Sequence, residues 1–419
     1  MEPLPRTDLR HHDGRRLFVY GSYDGSPLPE DSSPGEWPAL HLRHDALSER
    51  WVAISPARNT RPQSRSTDGA PAPACPLCVG GPELPFDYEA AVFENRFPTL
   101  LAAPPQPPAL EGPTAPSRGR CEVVLYTPTH EGSLATLTPR ELARVIAVWT
   151  DRSAELWSDD ALRSVFVFEN RGDDVGATLS HPHGQIYAFD HLPAQQRDRV
   201  AALRRYRRRH GSCLSCQVVA TDEATPARQV VANDSFTVSV PFAPDWPYEV
   251  HVRARRHGAQ RLPDLTSDER RDLAAALHAV VHRYDRLRPG APLAYMMACQ
   301  QAPADDPADD PADDPTAPLT DRSAPSASAT PPADDWHLSF EFLPPERAPG
   351  RLKIRASVET AAGLFINDTV PEASAAELAA VTTDAHTDTD SATDRRGASG
   401  GEITFPDVEV VHSTAVSRR

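Results

Sequence analysis

Two neighbouring stretches, Ser164-Val165-Phe166-Val167-Phe168-Glu169-Asn170 and Ser180-His181-Pro182-His183-Gly184-Gln185, decide how this chain reads. The first is a short apolar run rich in β-branched and aromatic residues, the pattern of a buried strand. The second sets two histidines around a proline. Proline fixes its own φ and biases the residue before it towards extended backbone, so the two imidazoles point in different directions and take different jobs. His183 then sits at a strand end, where Gly184 is expected to let a phosphate approach the backbone. Neutral imidazole is a competent phosphorus nucleophile, and the Gln185 amide can donate to a non-bridging phosphoryl oxygen. A purely structural His-Pro turn would look the same in isolation.

Working outward, Cys75-Pro76-Leu77-Cys78 precedes this pair, with Gly80 and Gly81 beside it. Such a knuckle supplies two thiolates to a tetrahedral zinc, and His130 and His181 are available to complete the site. A redox pair is the competing reading of the Cys-x-x-Cys. The chain then repeats itself. Its first half runs from Cys75 through the strand Glu122–Tyr126 and His130 to Leu137-Thr138-Pro139-Arg140-Glu141, which opens a helix over Arg140–Asp151, and on to His181. The second runs from Cys213-Leu214-Ser215-Cys216 through the strand Tyr248–Val252 and His257 to Leu265-Thr266-Ser267-Asp268-Glu269, opening a helix over Ser267–Tyr284, and closes on His337-Leu338-Ser339-Phe340-Glu341. Thr138 and Thr266 suit helix N-caps, with Glu141 and Glu269 at the capping-box position. The repeat sets His337 opposite His181 and Ser339 opposite His183. Cys213, Cys216, His257 and His337 thus form a possible second zinc tetrad, with ordinary buried thiols as the other reading. Serine without an adjacent base is a poor nucleophile, so one reactive centre is expected, in the first half. The expected fold class is α+β, two tandem repeats, each a small, mainly antiparallel sheet packed with helices.

The 419 residues allow two or three domains, and the formal net charge is −16. Nine Asp against one Arg between Gln301 and Asp335 contribute −8 of it, and seven acids against four Arg in 382–419 contribute −3. The acidity therefore lies mostly outside the expected core. It argues against a nucleic-acid surface and says little about a substrate. Residues 1–38 read as a poorly ordered lead-in, 39–200 and 201–380 as the repeats, 301–335 as a disordered acidic insert and 381–419 as a disordered tail. Six cysteines in this pattern suit metal ligation in a reducing cytoplasm, and no run approaches membrane-spanning length.

Taken in order, the motifs resemble the galactose-1-phosphate uridylyltransferase family, a two-repeat branch of the histidine-triad (HIT) superfamily. The resemblance rests on Trp51-Val52-Ala53-Ile54-Ser55-Pro56-Ala57-Arg58-Asn59-Thr60-Arg61-Pro62, Cys75-x-x-Cys78, Val92–Phe97, Phe168–Gly172, His181–Gln185 and Val240–Glu249. It implies two HIT-like repeats and a ping-pong reaction. His183 would take the uridylyl group of UDP-glucose and pass it to galactose 1-phosphate, as in the Leloir route of galactose metabolism, with Gln185 assisting. It further implies that Arg58, Arg61, Asn95 and Arg96 contact the nucleotide, and that Asn170, Gly176, Ala177 and Thr178 hold the diphosphate. Lys353, the sole lysine, and Glu359 fall on the segment that reaches the hexose in a neighbouring subunit's site, so a homodimer is expected. The family tyrosine beside that glutamate is Val358 here, which puts hexose discrimination in doubt. A second metal site built on a glutamate and histidines in other members meets Arg199, Ser339 and Glu341 in this chain and is not expected. The competing functions are a nucleotidyl phosphorylase of the same superfamily, acting on ADP-glucose or dinucleoside polyphosphates, and a catalytically degenerate zinc-stabilised nucleotide-binding protein.

Overall fold

One twelve-stranded sheet organises the chain, and its strand order is nearly palindromic. In the computed structural model described here, residues 2–29, 40–60, 75–177, 179–304, 335–381 and 404–413 are placed. The N-terminal residues supply β1 (Glu2–Arg10) and β2 (Arg16–Tyr20); β3 (His41–Asp45), β4 (Arg50–Ile54) and β5 (Ala90–Glu94) follow. Next come β6 (Thr114–Pro116), β7 (Gly119–Leu125), the helix α1 (Pro139–Trp157), β8 (Ser164–Arg171) and β9 (His183–Phe189). After α2 (Ala194–His210) and α3 (Leu214–Glu223), the second half runs β10 (Gln229–Ala232), β11 (Phe236–Ser239), β12 (Val250–Ala254), α4 (Ser267–Arg286), β13 (Tyr295–Gln300) and β14 (Ser339–Leu343). The hairpin β15 (Glu346–Ala348) and β16 (Arg351–Leu352), then α5 (Ser357–Ala362), α6 (Pro371–Ala380) and β17 (Val408–Ser413), complete the chain order.

Across the sheet the order is β10-β11-β12-β14-β13-β8-β9-β7-β5-β2-β1-β17, while β4-β3-β6 form a separate small sheet. The core of the first repeat, β5-β7-β9-β8, mirrors β11-β12-β14-β13 of the second. The two repeats therefore do not make two small sheets. They fuse edge to edge where β8 pairs antiparallel with β13, Phe168 opposite Ala298 and Glu169 opposite Met297. Joining them pairs two strands that would otherwise carry unsatisfied backbone groups at exposed edges.

Both long helices begin where the sequence places their caps. Thr138 and Thr266 each accept from the amide three residues on, and Glu141 and Glu269 reach back to close the box. The helices α1 and α4 lie on one face of the fused sheet, with the Trp149 ring stacked 6.0 Å from Phe340 of the second repeat. That face is the hydrophobic core. Strand alternation therefore sends Ile186 and Ala188 inward and leaves His183, Gln185, Tyr187 and Phe189 on the opposite face.

Several expectations need correction. Residues 1–38 are not a loose lead-in throughout, because β1 and β2 are integral strands. Their polarity misleads, since Arg6 is 2% exposed yet bonded to Asp8, Asp151 and Glu155 at 2.6–2.9 Å. The tail contributes β17, parallel to β1, with Phe405 packed into the core and Asp407 bonded to Arg271. The insert is tied down at its near end: Gln301 and Ala302 are buried, and Gln301 donates to Val165. Residues 305–334, 382–403 and 414–419 lie outside the described residues. The helix α1 runs to Trp157, beyond the expected Asp151; α2 leads from the first repeat into the second, and α3 opens the second with Cys213 at its N-cap and Cys216 in its first turn. The helix α2 ends with Arg207, Arg208, Arg209 and His210 in its last turn and Gly211 at φ +69°, a cationic, left-handed stop.

Candidate active site and metal centres

His183 opens β9 opposite Leu125 of β7. Its Nδ1 lies 2.7 Å from the carbonyl oxygen of His181. A carbonyl only accepts, so Nδ1 carries the proton and Nε2 keeps its lone pair. Burial lowers the pKa of this half-buried ring below 6.5, which favours the neutral, nucleophilic form at neutral pH. Gln185, two residues on, shares its face. An aromatic surface continues from there: Phe166 and Phe168 stack at 5.4 Å, and Phe168 meets the edge of Tyr187 at 5.1 Å.

Gly184 does not serve the role expected of it. It points away from His183 into the helix-packed core, where a Cβ would overlap the Tyr126 hydroxyl and lie 3.1 Å from the Phe168 carbonyl oxygen. The requirement for glycine is packing beneath the strand, not room for a phosphate above it.

Arg58, in a short 3-10 turn after β4, reaches this same face. Its Nη1 donates to the Tyr187 hydroxyl at 3.0 Å and to Thr99 Oγ1 at 2.8 Å. Tyr187 and Thr99 were missed from sequence, although period-two alternation from His183 and Gln185 already puts Tyr187 on their side. Asn95 and Arg96 line a cleft of about 380 Å³ with Arg15, Phe97 and Arg120. Asn95 Oδ1 accepts from the Phe97 amide at 2.8 Å, and Arg96 is exposed. Asn170 lies on the His183 face of β8, one residue beyond Glu169. The loop after it turns through Gly172 at φ +94° and Gly176 at φ +74°, with the Ala177 amide donating to Gly172. Arg61 and Thr178 lie outside the described residues.

The first Cys/His group assembles as the spacing suggested. One ligand atom each from Cys75, Cys78, His130 and His181 lie within 4.8 Å of one another. Cys78 Sγ is 3.2 Å from His130 Nδ1 and 3.6 Å from His181 Nδ1. His181 Nε2 donates to the Thr127 carbonyl at 2.9 Å, which fixes the tautomer and aims Nδ1 at the thiols. Tyr88, packed against the same ring, bonds the Leu77 and Thr127 carbonyls. The second half repeats the arrangement with Cys213, Cys216, His257 and His337, also within 4.8 Å. His337 offers the other nitrogen: Nδ1 donates to the Ala254 carbonyl at 2.8 Å, and Nε2 lies 3.3 Å from Cys216 Sγ. These four are therefore not unrelated buried thiols and rings, and both groups can hold a metal ion.

Ser339 occupies the place of His183 on β14, opposite Arg253 of β12. Beside it Arg199 donates to Glu341 at 2.6 Å and Gln300 donates to the same carboxylate at 3.1 Å. Burial pushes Glu341 up, but Arg199, His251 and the Gln300 amide together outweigh it and hold the group at about 2. An ion pair fills this spot. Lys353 and Glu359 are buried and bonded to each other, and Lys353 also donates to the Ile366 carbonyl. These contacts lie within the 353–366 segment.

Residues 36–193 match the family described as galactose-1-phosphate uridyl transferase, N-terminal domain, and residues 199–314 match its C-terminal domain. A galactose-1-phosphate uridylyltransferase of Thermotoga maritima is 36% identical over 343 residues, covering 81% of this chain and 98% of that protein. A solved uridylyltransferase structure superposes with a TM-score of 0.67 at 30% identity, covering 81% of this chain and 97% of that one. An ADP-glucose phosphorylase from Arabidopsis thaliana, solved with bound ADP-glucose, shares the fold at a TM-score of 0.57 and 21% identity, over 82% of this chain and all of that one. With both repeats matched in order and a relative aligned over nearly its whole length, the chain belongs to the galactose-1-phosphate uridylyltransferase family.

Proposed function

We propose that the protein transfers the uridylyl group of UDP-glucose to galactose 1-phosphate through a uridylyl-histidine on His183. The observation that carries this is the His183 ring itself, with its proton fixed on Nδ1 by the His181 carbonyl and the Nε2 lone pair left for attack. Nε2 forms a bond to the α-phosphorus, and the bond from that phosphorus to the bridging oxygen breaks. Glucose 1-phosphate leaves with the electron pair. A phosphate oxygen of galactose 1-phosphate then attacks the same phosphorus and returns His183 to its starting state. Gln185 and Asn170, on the same face, donate to the equatorial oxygens, where charge accumulates during transfer. Arg58 supplies a guanidinium fork to the nucleotide phosphates, with Arg61 as its partner from the same motif. Asn95 and Arg96 take the nucleoside, and Gly176, Ala177 and Thr178 wrap the diphosphate.

Zinc fits both Cys/His groups. Bonds of about 2.3 Å to sulfur and about 2.0 Å to nitrogen put tetrahedral ligands roughly 3.5 Å apart, close to the spacings seen. Such an ion, closed by four protein ligands, supplies folding stability and orients His181 beside the nucleophile. Lys353 and Glu359 reach the hexose of a second copy in a homodimer, which requires their mutual pair to open on assembly. The setting is the cytoplasm, where thiolates stay reduced.

The test is intact-protein mass spectrometry after incubation with UDP-glucose, and in parallel with ADP-glucose. The proposal expects one uridylyl group per chain from UDP-glucose, no adduct on His183→Ala, and release of the group on adding galactose 1-phosphate. An adduct formed from ADP-glucose alone would replace it with the phosphorylase reading. No adduct from either would leave a binding protein.

A further inference from the structure

We propose that Tyr126, Glu169 and Tyr295 act as a positioning triad that holds the His183 strand at the height the transfer requires, an inference that rests on the reaction proposed above. Glu169 lies on the face of β8 opposite His183, and it is 4% exposed. Its two oxygens accept from two tyrosines, Oε2 from Tyr126 at 3.1 Å and Oε1 from Tyr295 at 3.0 Å. Tyr126 follows β7, and its amide approaches the Pro182 carbonyl between the two histidines. Its hydroxyl lies directly beneath Gly184, where a Cβ would collide with it. Tyr295 belongs to β13 of the second repeat. The triad therefore spans the seam between repeats and supports, from below, the residue between His183 and Gln185.

A carboxyl bonded in this way has two states. Ionised, it accepts from both tyrosines and pins both hydroxyls. Protonated, it must give its own proton to one of them, and that tyrosine loses its donor bond to Glu169. Burial raises Glu169 to about 7, so both states are populated near neutrality. The titratable and charged neighbours are Tyr126 after β7, Tyr295 on β13, and the Arg171–Asp285 pair that joins the end of β8 to α4. The strand β9 contributes Gly184, and α1 contributes Trp149 against the Tyr126 ring at 5.7 Å, neither of them ionisable. The ionised triad is the better brace, so turnover should rise through about pH 7.

The experiment compares wild type with Glu169→Gln, a neutral isostere that mimics the protonated acid. Turnover with UDP-glucose and galactose 1-phosphate is measured from pH 6 to 8.5. The expected result is that Glu169→Gln matches wild type at pH 6 within about twofold and falls behind by roughly threefold or more at pH 8.5, in kcat rather than KM. A Glu169→Gln profile parallel to wild type overturns the triad. A readout independent of substrate runs alongside: amide exchange of residues 183–186 at pH 8 in Tyr126→Phe. Faster exchange there, with the β11 and β12 amides unchanged, supports the brace, and an unchanged rate refutes it. If wild type forms no uridylyl adduct, the proposed reaction fails, while exchange still decides the triad.

Discussion

Removing the Arg152 guanidinium should uncover how α1 is held to the sheet. Arg152 is fully buried, and it grips Glu122 of β7 through two bonds, 3.0 Å from Nε and 2.7 Å from Nη2. Glu122 pairs in register with Ile186 of β9, one strand from His183, and is 1% exposed. Arg152 also bonds Glu155 and lies 3.8 Å over the Phe18 ring. Arg152→Met keeps most of the side-chain volume but leaves Glu122 charged, buried and unpaired. Breaking one partner of a buried pair costs about 3–5 kcal/mol. Replacing both, in Arg152→Met/Glu122→Met, should recover most of that, because two apolar groups leave no stranded charge. A residual loss of about 0.5–2 kcal/mol remains from the arginine's stacking on Phe18. Urea unfolding followed by tryptophan fluorescence reads all three variants against wild type. The same measurement across pH tests the neighbouring Glu155. Burial raises its pKa, but Arg152, Arg6 and Arg16 together pull it down to about 2, below the 4.5 of the unfolded chain. Its contribution is therefore present above about pH 4.5 and is lost as pH falls from there towards 2. Arg152→Met should flatten this acid limb, since the largest favourable charge is gone. A loss under about 1 kcal/mol in the single variant, or a double variant no better than the single, would show that the pair does not hold α1 as described.

Cys78→Ser should lose one metal equivalent per chain by elemental analysis and lower the melting temperature, with the second Cys/His group still loaded; unchanged metal content would remove the first centre. Gly184→Ala should destabilise by about 1–3 kcal/mol through overpacking against Tyr126, and a neutral result would mean that the strand can rise freely from the core. Phe405→Ala should speed amide exchange along β17 and the facing residues of β1 while leaving β8 and β9 unchanged, because the tail strand is held to the core by that ring; equal protection in both proteins would refute this anchoring.

Much of the site was legible in the chain because its signals are local. Cys-x-x-Cys spacing, a proline between histidines, and threonine caps with glutamate three residues on all act over a few residues, and each assembles as read. The second tetrad was legible for a different reason: the chain repeats, so a pattern in one half predicts its counterpart. What sequence misjudged depends on which face a residue meets. Gly184 looked like a phosphate contact from its neighbours, yet alternation turns it into the core against Tyr126, a residue 58 positions upstream. The N-terminal strands were hidden because Arg6 and its carboxylate partners read as solvent-exposed polarity, and only tertiary pairing makes their burial affordable.

By itself, then, the sequence determined the candidate nucleophile, the two Cys/His groups, the helix starts and the tandem repeat, all properties of short-range chemistry and periodicity. The tertiary structure alone decided that the repeats share one sheet through β8 and β13, because edge pairing depends on which strands meet and not on what either contains. It also decided the His183 tautomer, set by a carbonyl oxygen two residues away whose direction follows from the Pro182 bend, and the convergence of Tyr126 after β7 with Glu169 of β8 and Tyr295 of β13. Those three residues are 43 and 126 positions apart in the chain, and no local pattern links them.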